Sequence, residues 1–359
     1  MSRTYNFSAG PAALPEPVLK QAQSEMLEWG KAHASVMEVS HRGKEFIALA
    51  KESETDLRTL LQIPQNYKVL FLQGGATQHF AQIPMNIAGG EPADYIVTGA
   101  WGEKAYKEAK PVCKAQIAAS SESTNFTTIP ERATWKLDAN AAYLHYTPNE
   151  TIHGVEFQSV PDVGDVPLVA DMSSNILSRP VDVSKFGIIY AGAQKNIGPS
   201  GLVIVIIRDD LLARSPKDIP KIFSYAEQAA NDSMLNTPNT FGWYLAGLTF
   251  KWLASEGGLA AIEKKNTAKA ELLYGYIDAS GFYKNPVEKS VRSRMNVPFT
   301  LPKEELDSPF LKEAEAAGLM SLKGHRAVGG MRASIYNALP IEGVQALVDF
   351  MKDFAKRNG

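Results

Sequence analysis

Short apolar segments alternate with helix-like stretches over most of the first 260 residues of this 359-residue chain. The segments expected to form strands are nearly continuous in apolar residues and cover 69–72, 96–98, 142–146, 168–170, 188–191 and 202–207. Two stretches between or before them, 16–30 and 45–61, carry apolar residues at the three- and four-residue spacing of helices. This alternation predicts an α/β fold with a mostly parallel sheet that is covered on both faces.

The pattern changes after this region. The stretch 240–271 is strongly helical and contains no proline, which predicts one long helix leading out of the first domain. Beyond it, fewer strand-like segments are found, at 295–299 and 331–335, with helix-like segments at 309–317 and 343–356. We therefore expect a large domain over 16–265 and a smaller α+β domain over 266–359.

The charge balance limits the kinds of partner to be expected. The chain has 37 basic and 39 acidic residues and a net charge of −2, which gives no electrostatic reason to expect nucleic acid or an acidic membrane as a partner. Cys113 is the single cysteine, so no disulfide can form within the chain, and a reducing compartment is indicated. No apolar run approaches the roughly 20 residues that span a bilayer, and residues 1–7 lack a signal-peptide core. We expect a soluble, cytoplasmic protein.

Lys195 is the strongest candidate for a chemical role. It lies between the apolar run 186–191 and a Gly-Pro-Ser-Gly turn at 198–201 that leads into the run 202–207. A partly desolvated lysine has a lowered pKa and can act as a nucleophile. Asp171 follows another apolar run, and an amine with a carboxylate is the pair that pyridoxal phosphate enzymes require. The alternative is a surface-loop lysine and an aspartate that caps a helix.

Three further loops carry candidate ligand groups. Gly74 and Gly75 lie between a strand and a helix, where backbone N–H groups can bind a phosphate, although a tight turn without a ligand has the same pattern. Trp101, between Gly99 and Gly102, could lie against a flat ring or be an ordinary core residue. Thr151 could donate a hydrogen bond to a phenolate oxygen or cap a turn.

Basic residues beside glycines form a second set of candidates. They are His41, Arg42, His325, Arg326 and Arg332. Arginine binds carboxylate and phosphate through its planar fork, so two such sites would suit a substrate with two anionic ends. Any one of them could equally be an ordinary solvated charge. No H-E-x-x-H sequence or paired-cysteine spacing indicates a metal site.

Motifs spaced over nearly the whole chain resemble those of the phosphoserine aminotransferase family, within the class-V pyridoxal-phosphate-dependent aminotransferases. The motifs are the segments 6–15, 40–42, 73–76, 193–201, 236–240 and 329–334. The resemblance implies an aspartate aminotransferase-like fold (fold type I), with a large cofactor domain and a small domain on which the N-terminal segment 1–15 packs. It also implies a homodimer whose active sites are shared between the subunits.

The resemblance implies a role for each candidate residue. Lys195 would hold pyridoxal 5′-phosphate through its amine, Asp171 would keep the ring nitrogen protonated, Trp101 would stack on the ring, and Thr151 would hydrogen-bond its phenolic oxygen. The cofactor phosphate would be bound by Ala76, Thr77 and Gln194, with Asn236 and Thr237 of the partner subunit. Arg332 would bind the substrate α-carboxylate, and the distal phosphate would lie among His41, Arg42, His325 and Arg326.

The implied reaction transfers the amino group of glutamate to 3-phosphohydroxypyruvate, giving 2-oxoglutarate and O-phospho-L-serine for serine biosynthesis. The phosphorylated threonine analogue of pyridoxine biosynthesis, 4-phosphohydroxy-L-threonine, is a possible second substrate. Thr77 departs from the pattern, because some members carry arginine there. One positive charge near the distal anion is therefore missing, and substrate affinity is the property that this change should affect.

Four other functions fit parts of the sequence less well. A cysteine desulfurase would need a reactive cysteine near the substrate, and Cys113 lies beside Pro111 and Val112 in the large domain. An alanine–glyoxylate type aminotransferase would not need two His-Arg pairs. A non-catalytic binding protein would not need Lys195, Asp171 and Arg332 together. A nicotinamide dehydrogenase would carry a G-x-G-x-x-G sequence after a strand, and no such sequence is present.

Overall fold

The computed structural model describes residues 3–359. The strands are β1 (Tyr5–Asn6), β2 (Tyr67–Gly74), β3 (Pro92–Val97), β4 (Lys114–Ser120), β5 (Leu144–Tyr146), β6 (Asn149–Glu150), β7 (Val155–Glu156), β8 (Leu168–Asp171), β9 (Ile188–Gly192), β10 (Gly201–Arg208), β11 (Asn296–Phe299), β12 (Leu319–Met320) and β13 (Met331–Ser334). The helices are α1 (Glu16–Ser24), α2 (Lys44–Leu61), α3 (Ala76–Ile87), α4 (Ala100–Ala109), α5 (Asp209–Leu212), α6 (Tyr225–Ala230), α7 (Thr240–Ser255), α8 (Gly258–Ser280), α9 (Asp307–Ala316) and α10 (Ile341–Asn358).

A seven-stranded sheet forms the centre of the large α/β region. Its strand order is β2-β10-β9-β8-β5-β3-β4, and β10 is antiparallel to both of its neighbours, while the other pairs are parallel. The predicted mostly parallel sheet is therefore confirmed. Because the carboxyl ends of its parallel strands meet at one edge, the loops that follow them lie close together.

Side chains of β10 show why both faces of this sheet are covered. Ile204 and Ile206 belong to an apolar cluster that also contains Phe46 of α2 and Trp243 of α7. The alternating residues Val203 and Val205 point into a second cluster, with residues of α3 and α4. This burial on both faces explains the nearly continuous apolar sequence of the strand.

Two sequence-based expectations for individual elements were wrong, and one strand was missed. The helix expected over 16–30 ends at Ser24, and the apolar residue Leu27, which extended the helical pattern, is 85% exposed. The single helix expected over 240–271 is two helices, because Gly257 and Gly258 have φ angles of 96° and 74°, which break the helical backbone. Edge strand β4 was missed because most of its side chains are not buried, so it lacks an apolar run.

The C-terminal part has its own apolar cluster, built around Phe299, Phe310 and Phe354. The N-terminal segment joins it, because β1 pairs with β12 and Phe7 is buried in the same cluster. Of the segment 1–15, residues 1 and 2 lie outside the described residues. The boundaries 16–265 and 266–359 stay a prediction.

Helix α8 connects the large α/β region to the C-terminal part. Leu259 and Ile262 in its first half belong to the same apolar cluster as Phe46 and Trp243. Leu273 and Ile277 in its second half belong to the C-terminal cluster. Within residues 3–359, no helix is long and apolar enough to cross a membrane.

Candidate active site

A pocket lies at the carboxyl edge of the parallel strands, and five of them contribute to it. Ala76 and Thr77 follow β2, Trp101 follows β3, Thr151 follows β5, Asp171 ends β8, and Lys195 follows β9. Gln194 also lines the pocket, with Gly75, Thr147, Asn149, Ser173 and Ser174. The structure thus brings together the residues that the sequence indicated as a cofactor site within one chain.

Lys195 lines this pocket and is buried, with 9% of its surface exposed. Its Nζ donates a hydrogen bond to Thr151 Oγ1 at 2.6 Å and lies 5.7 Å from the centre of the Trp101 ring. Burial lowers the pKa of Lys195 to about 8, although the nearby carboxylates of Asp171 and Glu150 act in the opposite direction. A larger fraction of this amine is therefore neutral near pH 7 than for an exposed lysine.

Asp171 is held by Ser173. Its Oδ1 accepts hydrogen bonds from the Ser173 N–H at 3.0 Å and from the Ser173 hydroxyl at 2.5 Å, and that hydroxyl in turn accepts from the Gly192 N–H at 3.0 Å. Burial raises the pKa of Asp171, while the Ser173 hydroxyl and the charge of Lys195 lower it. The carboxylate is therefore fixed in orientation between the ends of β8 and β9.

The start of α3 also lines the pocket. Gly75 is the N-cap residue and offers no side-chain cap, so the first N–H groups of the helix have no partner within it. Gly74 has a φ of 106°, and a Cβ there would lie 2.6 Å from the Gln78 Oε1, so this position requires glycine. The loop therefore presents backbone donors suited to an anion.

Arg332 reaches the pocket from β13 in the C-terminal part. Its Nη1 donates to the Thr151 carbonyl oxygen at 3.4 Å, and burial lowers its pKa. His325 and Arg326 line a neighbouring surface cavity with Lys323, and burial followed by the charges of Arg332 and Arg326 lowers the pKa of His325. These basic residues form a positive region beside the pocket.

Four further predicted site residues are not among those that line the Lys195 pocket of the same chain. His41 and Arg42 line a cavity with Arg58 and Trp243. Asn236 lines a different cavity, and its Nδ2 donates to Gln73 Oε1 at 3.3 Å. The backbone carbonyl of Thr237 accepts a hydrogen bond from the Gln73 side chain. One chain by itself therefore does not complete the predicted site.

Sequence reasoning missed Glu150 and Ser173. Glu150 is fully buried, and burial raises its pKa to about 7, against hydrogen bonds from the Gly102 and Trp101 N–H groups that lower it. Ser173 orients Asp171 as described above. Glu150 ends the two-residue strand β6 and Ser173 follows β8, and neither lies in a recognisable motif. Only the glycines on each side of Trp101 could have indicated that another group occupies the space beside it.

The sequence and the structure place the chain in a known family. The model of the aminotransferase class-V family matches residues 4–347, so the chain belongs to that family. It is 60% identical to the phosphoserine aminotransferase of Aromatoleum aromaticum and 58% identical to that of Hahella chejuensis, over 100% and 99% of both chains respectively.

Solved structures agree with this relationship. A phosphoserine aminotransferase from Bacillus circulans subsp. alkalophilus superposes with a TM-score of 0.97 at 50% identity over 99% of both chains. The phosphoserine aminotransferase with bound PLP from Trichomonas vaginalis gives a TM-score of 0.94 at 45% identity, over 98% of this chain and 100% of that one. These matches confirm the predicted fold class, the aspartate aminotransferase-like fold type I.

Proposed function

We propose that this protein is a pyridoxal-phosphate-dependent aminotransferase that transfers the amino group of glutamate to 3-phosphohydroxypyruvate, forming 2-oxoglutarate and O-phospho-L-serine. The observation that most strongly supports this proposal is the buried Lys195 amine, in a pocket that also contains the Asp171 carboxylate and lies beside Arg332. The names of the relatives supply the substrate class. A cytoplasmic location and a role in serine biosynthesis are parts of the proposal, and the single cysteine agrees with that location.

The donor set of the pocket fits pyridoxal phosphate. Lys195 would hold the cofactor covalently, Asp171 would pair with its ring nitrogen, Trp101 would lie against the ring, and Thr151 would bind its phenolic oxygen. The phosphate would lie at the start of α3, with Ala76, Thr77 and Gln194. When bound, the cofactor withdraws electrons from the substrate Cα and makes its proton more acidic.

The protein's own residues would then bind the substrate and move its proton. Arg332 would grip the α-carboxylate through its planar guanidinium, which places Cα near Lys195. The Lys195 amine, once freed by the incoming substrate, would take the proton from Cα, and its lowered pKa suits a base near neutral pH. The same amine would return a proton in the second half of the reaction.

The distal anion and the second subunit complete the proposal. His325 and Arg326 of the same chain would contact the phosphate of the substrate, which is supported by the basic cavity that they line with Lys323 and by the closeness of Arg332 to His325. Since His41, Arg42, Asn236 and Thr237 lie away from the pocket of their own chain, we place them in the pocket of the partner in a homodimer. Large apolar side chains exposed on one chain, including Leu27, Met37 and Ile47, agree with such an interface.

The test is the visible absorption of the protein after loading with pyridoxal phosphate. Phosphoserine should convert the band of the lysine-bound cofactor into that of the pyridoxamine form, and 3-phosphohydroxypyruvate should restore it. Serine is the matched control for the phosphate, and alanine with glyoxylate tests the other aminotransferase type. A band that responds to alanine but ignores phosphoserine would contradict the proposed substrate. Adding 4-phosphohydroxy-L-threonine tests the second substrate in the same way.

A further inference from the structure

Glu150 is a buried carboxylate to which the proposed reaction gives no role. It ends β6 and has no exposed surface. Its Oε2 accepts from the Trp101 N–H at 3.1 Å and its Oε1 from the Gly102 N–H at 2.7 Å. These two N–H groups belong to the first turn of α4, whose N-cap residue Gly99 has no side chain with which to cap the helix. Glu150 therefore caps a helix that lies 48 residues earlier in the sequence.

The glycines beside Trp101 make room for this carboxylate. A Cβ on Gly99 would lie 2.4 Å from the Glu150 Cδ, which no side-chain adjustment of a buried group could accommodate cheaply. The backbone of Gly99 is extended, with a φ of 171°, so its conformation is open to any residue. A Cβ on Gly102 would lie 3.3 Å from the Glu150 Oε1. Position 99 therefore requires glycine because the Glu150 side chain occupies the space that a Cβ would need, and not because of the backbone conformation.

Trp101 depends on this arrangement for its position. Its ring lines the Lys195 pocket, yet its indole Nε1 is buried and finds no hydrogen-bond partner among residues 3–359. The ring is therefore not oriented by a hydrogen bond of its own. Its backbone N–H is fixed by Glu150, and its ring contacts Phe80 at a centroid distance of 6.5 Å. The Glu150 carboxylate thus fixes the backbone position from which the Trp101 side chain extends.

We infer that Glu150 is a positioning residue for the cofactor site, which sets the Trp101 ring against the pocket by holding the Trp101 and Gly102 N–H groups of α4. The inference rests on the proposed function, because the ring is useful there only if a flat cofactor lies beside it. A cap that merely stabilised α4 would affect unfolding but not cofactor affinity.

The experiment measures the dissociation constant of pyridoxal phosphate by titrating the cofactor-free protein and following the absorption of the bound form. Glu150→Gln keeps the size of the side chain but turns an amide NH₂ toward one of the two N–H groups. In Gly99→Ala, the added methyl group should displace the Glu150 carboxylate from the Trp101 and Gly102 N–H groups. We expect each variant to bind the cofactor about tenfold more weakly, the effect of about one hydrogen bond to a charged group. Glu103→Gln, in the first turn of the same helix, is the matched control and should stay within about twofold.

Two further measurements separate positioning from folding. In the cofactor-free protein, exchange of the Trp101 and Gly102 amide hydrogens should be faster in Glu150→Gln than in the unmodified protein. Because Glu150→Ala removes the obstructing side chain, adding Gly99→Ala to it should change cofactor affinity by less than about twofold, so the two effects should not add.

The outcomes distinguish this inference from the proposed function. Unchanged cofactor affinity in both Glu150→Gln and Gly99→Ala overturns the inference alone, even if both unfold at a lower temperature. If Glu150→Gln does not fold, Gly99→Ala decides in the same way. An unmodified protein that takes up no pyridoxal phosphate overturns the proposed function, and the inference with it.

Discussion

Two lysines among residues 3–359 are buried, and they have opposite surroundings. Lys269 of α8 is 2% exposed and donates to the backbone carbonyls of Ile335, Tyr336 and Leu339 at 2.9, 2.7 and 3.0 Å. Lys195 donates to one hydroxyl and faces a pocket. An ammonium has three donors, so Lys269 has a partner for every one, whereas Lys195 has donors left for a ligand.

Burial alone does not distinguish these two amines. It lowers the pKa of Lys269 to about 7 and that of Lys195 to about 8, so the pKa shift would favour Lys269 as the reactive lysine. The two lysines differ in their access to a cavity and in the number of their hydrogen-bond partners. The three carbonyls surround the Lys269 amine and favour its charged form, whereas carboxylates, a hydroxyl and an aromatic ring lie around Lys195. A buried lysine is a candidate nucleophile when it also lacks partners and faces a cavity.

The largest effect should come from Lys195→Ala. Turnover of phosphoserine and 2-oxoglutarate should fall by about 10³-fold or more, because both the attachment point and the base are lost. The unfolding midpoint without cofactor should change much less than the activity, since the hydrogen bond that is lost is the one to Thr151. A steady-state assay and a thermal melt of the same sample measure both. Activity near that of the unmodified protein would make Lys195 a structural lysine like Lys269.

Lys269→Met should have the opposite profile. Three buried carbonyl oxygens lose their donor, so the free energy of unfolding should fall by about 3 kcal/mol, measured by urea denaturation. Turnover of the folded protein at saturating substrate should change by less than about threefold. Lys265→Met, one turn earlier and largely exposed, is the control and should cost less than about 0.5 kcal/mol. Equal stabilities of the two variants would remove the structural role assigned to Lys269.

Arg332→Lys tests the substrate side of the Lys195 pocket. A point charge replaces the planar fork, so the KM for phosphoserine should rise by about 10- to 100-fold while kcat falls less. Arg292→Lys, in an ion pair with Asp278 away from the pocket, should leave KM unchanged. An equal fall in kcat with no change in KM would show that Arg332 acts on the reacting atoms rather than on substrate binding.

The smallest predicted effect concerns pH. Only the neutral amine of Lys195 can attack the cofactor aldehyde, and its lowered pKa means that the neutral fraction rises steeply up to about pH 8. Uptake of pyridoxal phosphate by the cofactor-free protein should therefore be about fivefold faster at pH 8 than at pH 7. Stopped-flow absorption measures this rate. A rate that is flat between pH 6 and pH 9 would mean that Lys195 is not the group whose ionisation limits attachment.

The sequence was most informative where burial is continuous along the chain. Strands such as β8 and β9 are buried along their whole length, so their positions and their parallel arrangement could be predicted, and with them the placement of Lys195 and Asp171 at strand ends. Edge strand β4 could not be predicted, because partial exposure removes the apolar pattern. The helix break at Gly257 and Gly258 could not be predicted either. The residues before and after these two glycines have a helical pattern, and such a pattern tolerates glycine.

Lys269 and Glu150 could not be identified, for a different reason. Lys269 lies in a polar stretch of a helix, so its sequence context is that of an ordinary exposed lysine. The three carbonyl groups that it binds lie 66 to 70 residues away. Glu150, at the end of β6, caps a helix that is distant in the sequence. Long-range partners of this kind leave no local pattern. His41 and Arg42 were recognised by their motif, but the sequence did not indicate that they lie away from the pocket of their own chain.

Helix α8 has a mechanical consequence. Its 23 residues form a rod of roughly 35 Å, anchored at one end by Leu259 and Ile262. Farther along the helix, Lys269 hydrogen-bonds the backbone of the turn that follows β13, the strand that contains Arg332. The helix thus links the large α/β region to the turn after β13, so a bend within it would change the distance between the Arg332 guanidinium and the Lys195 amine.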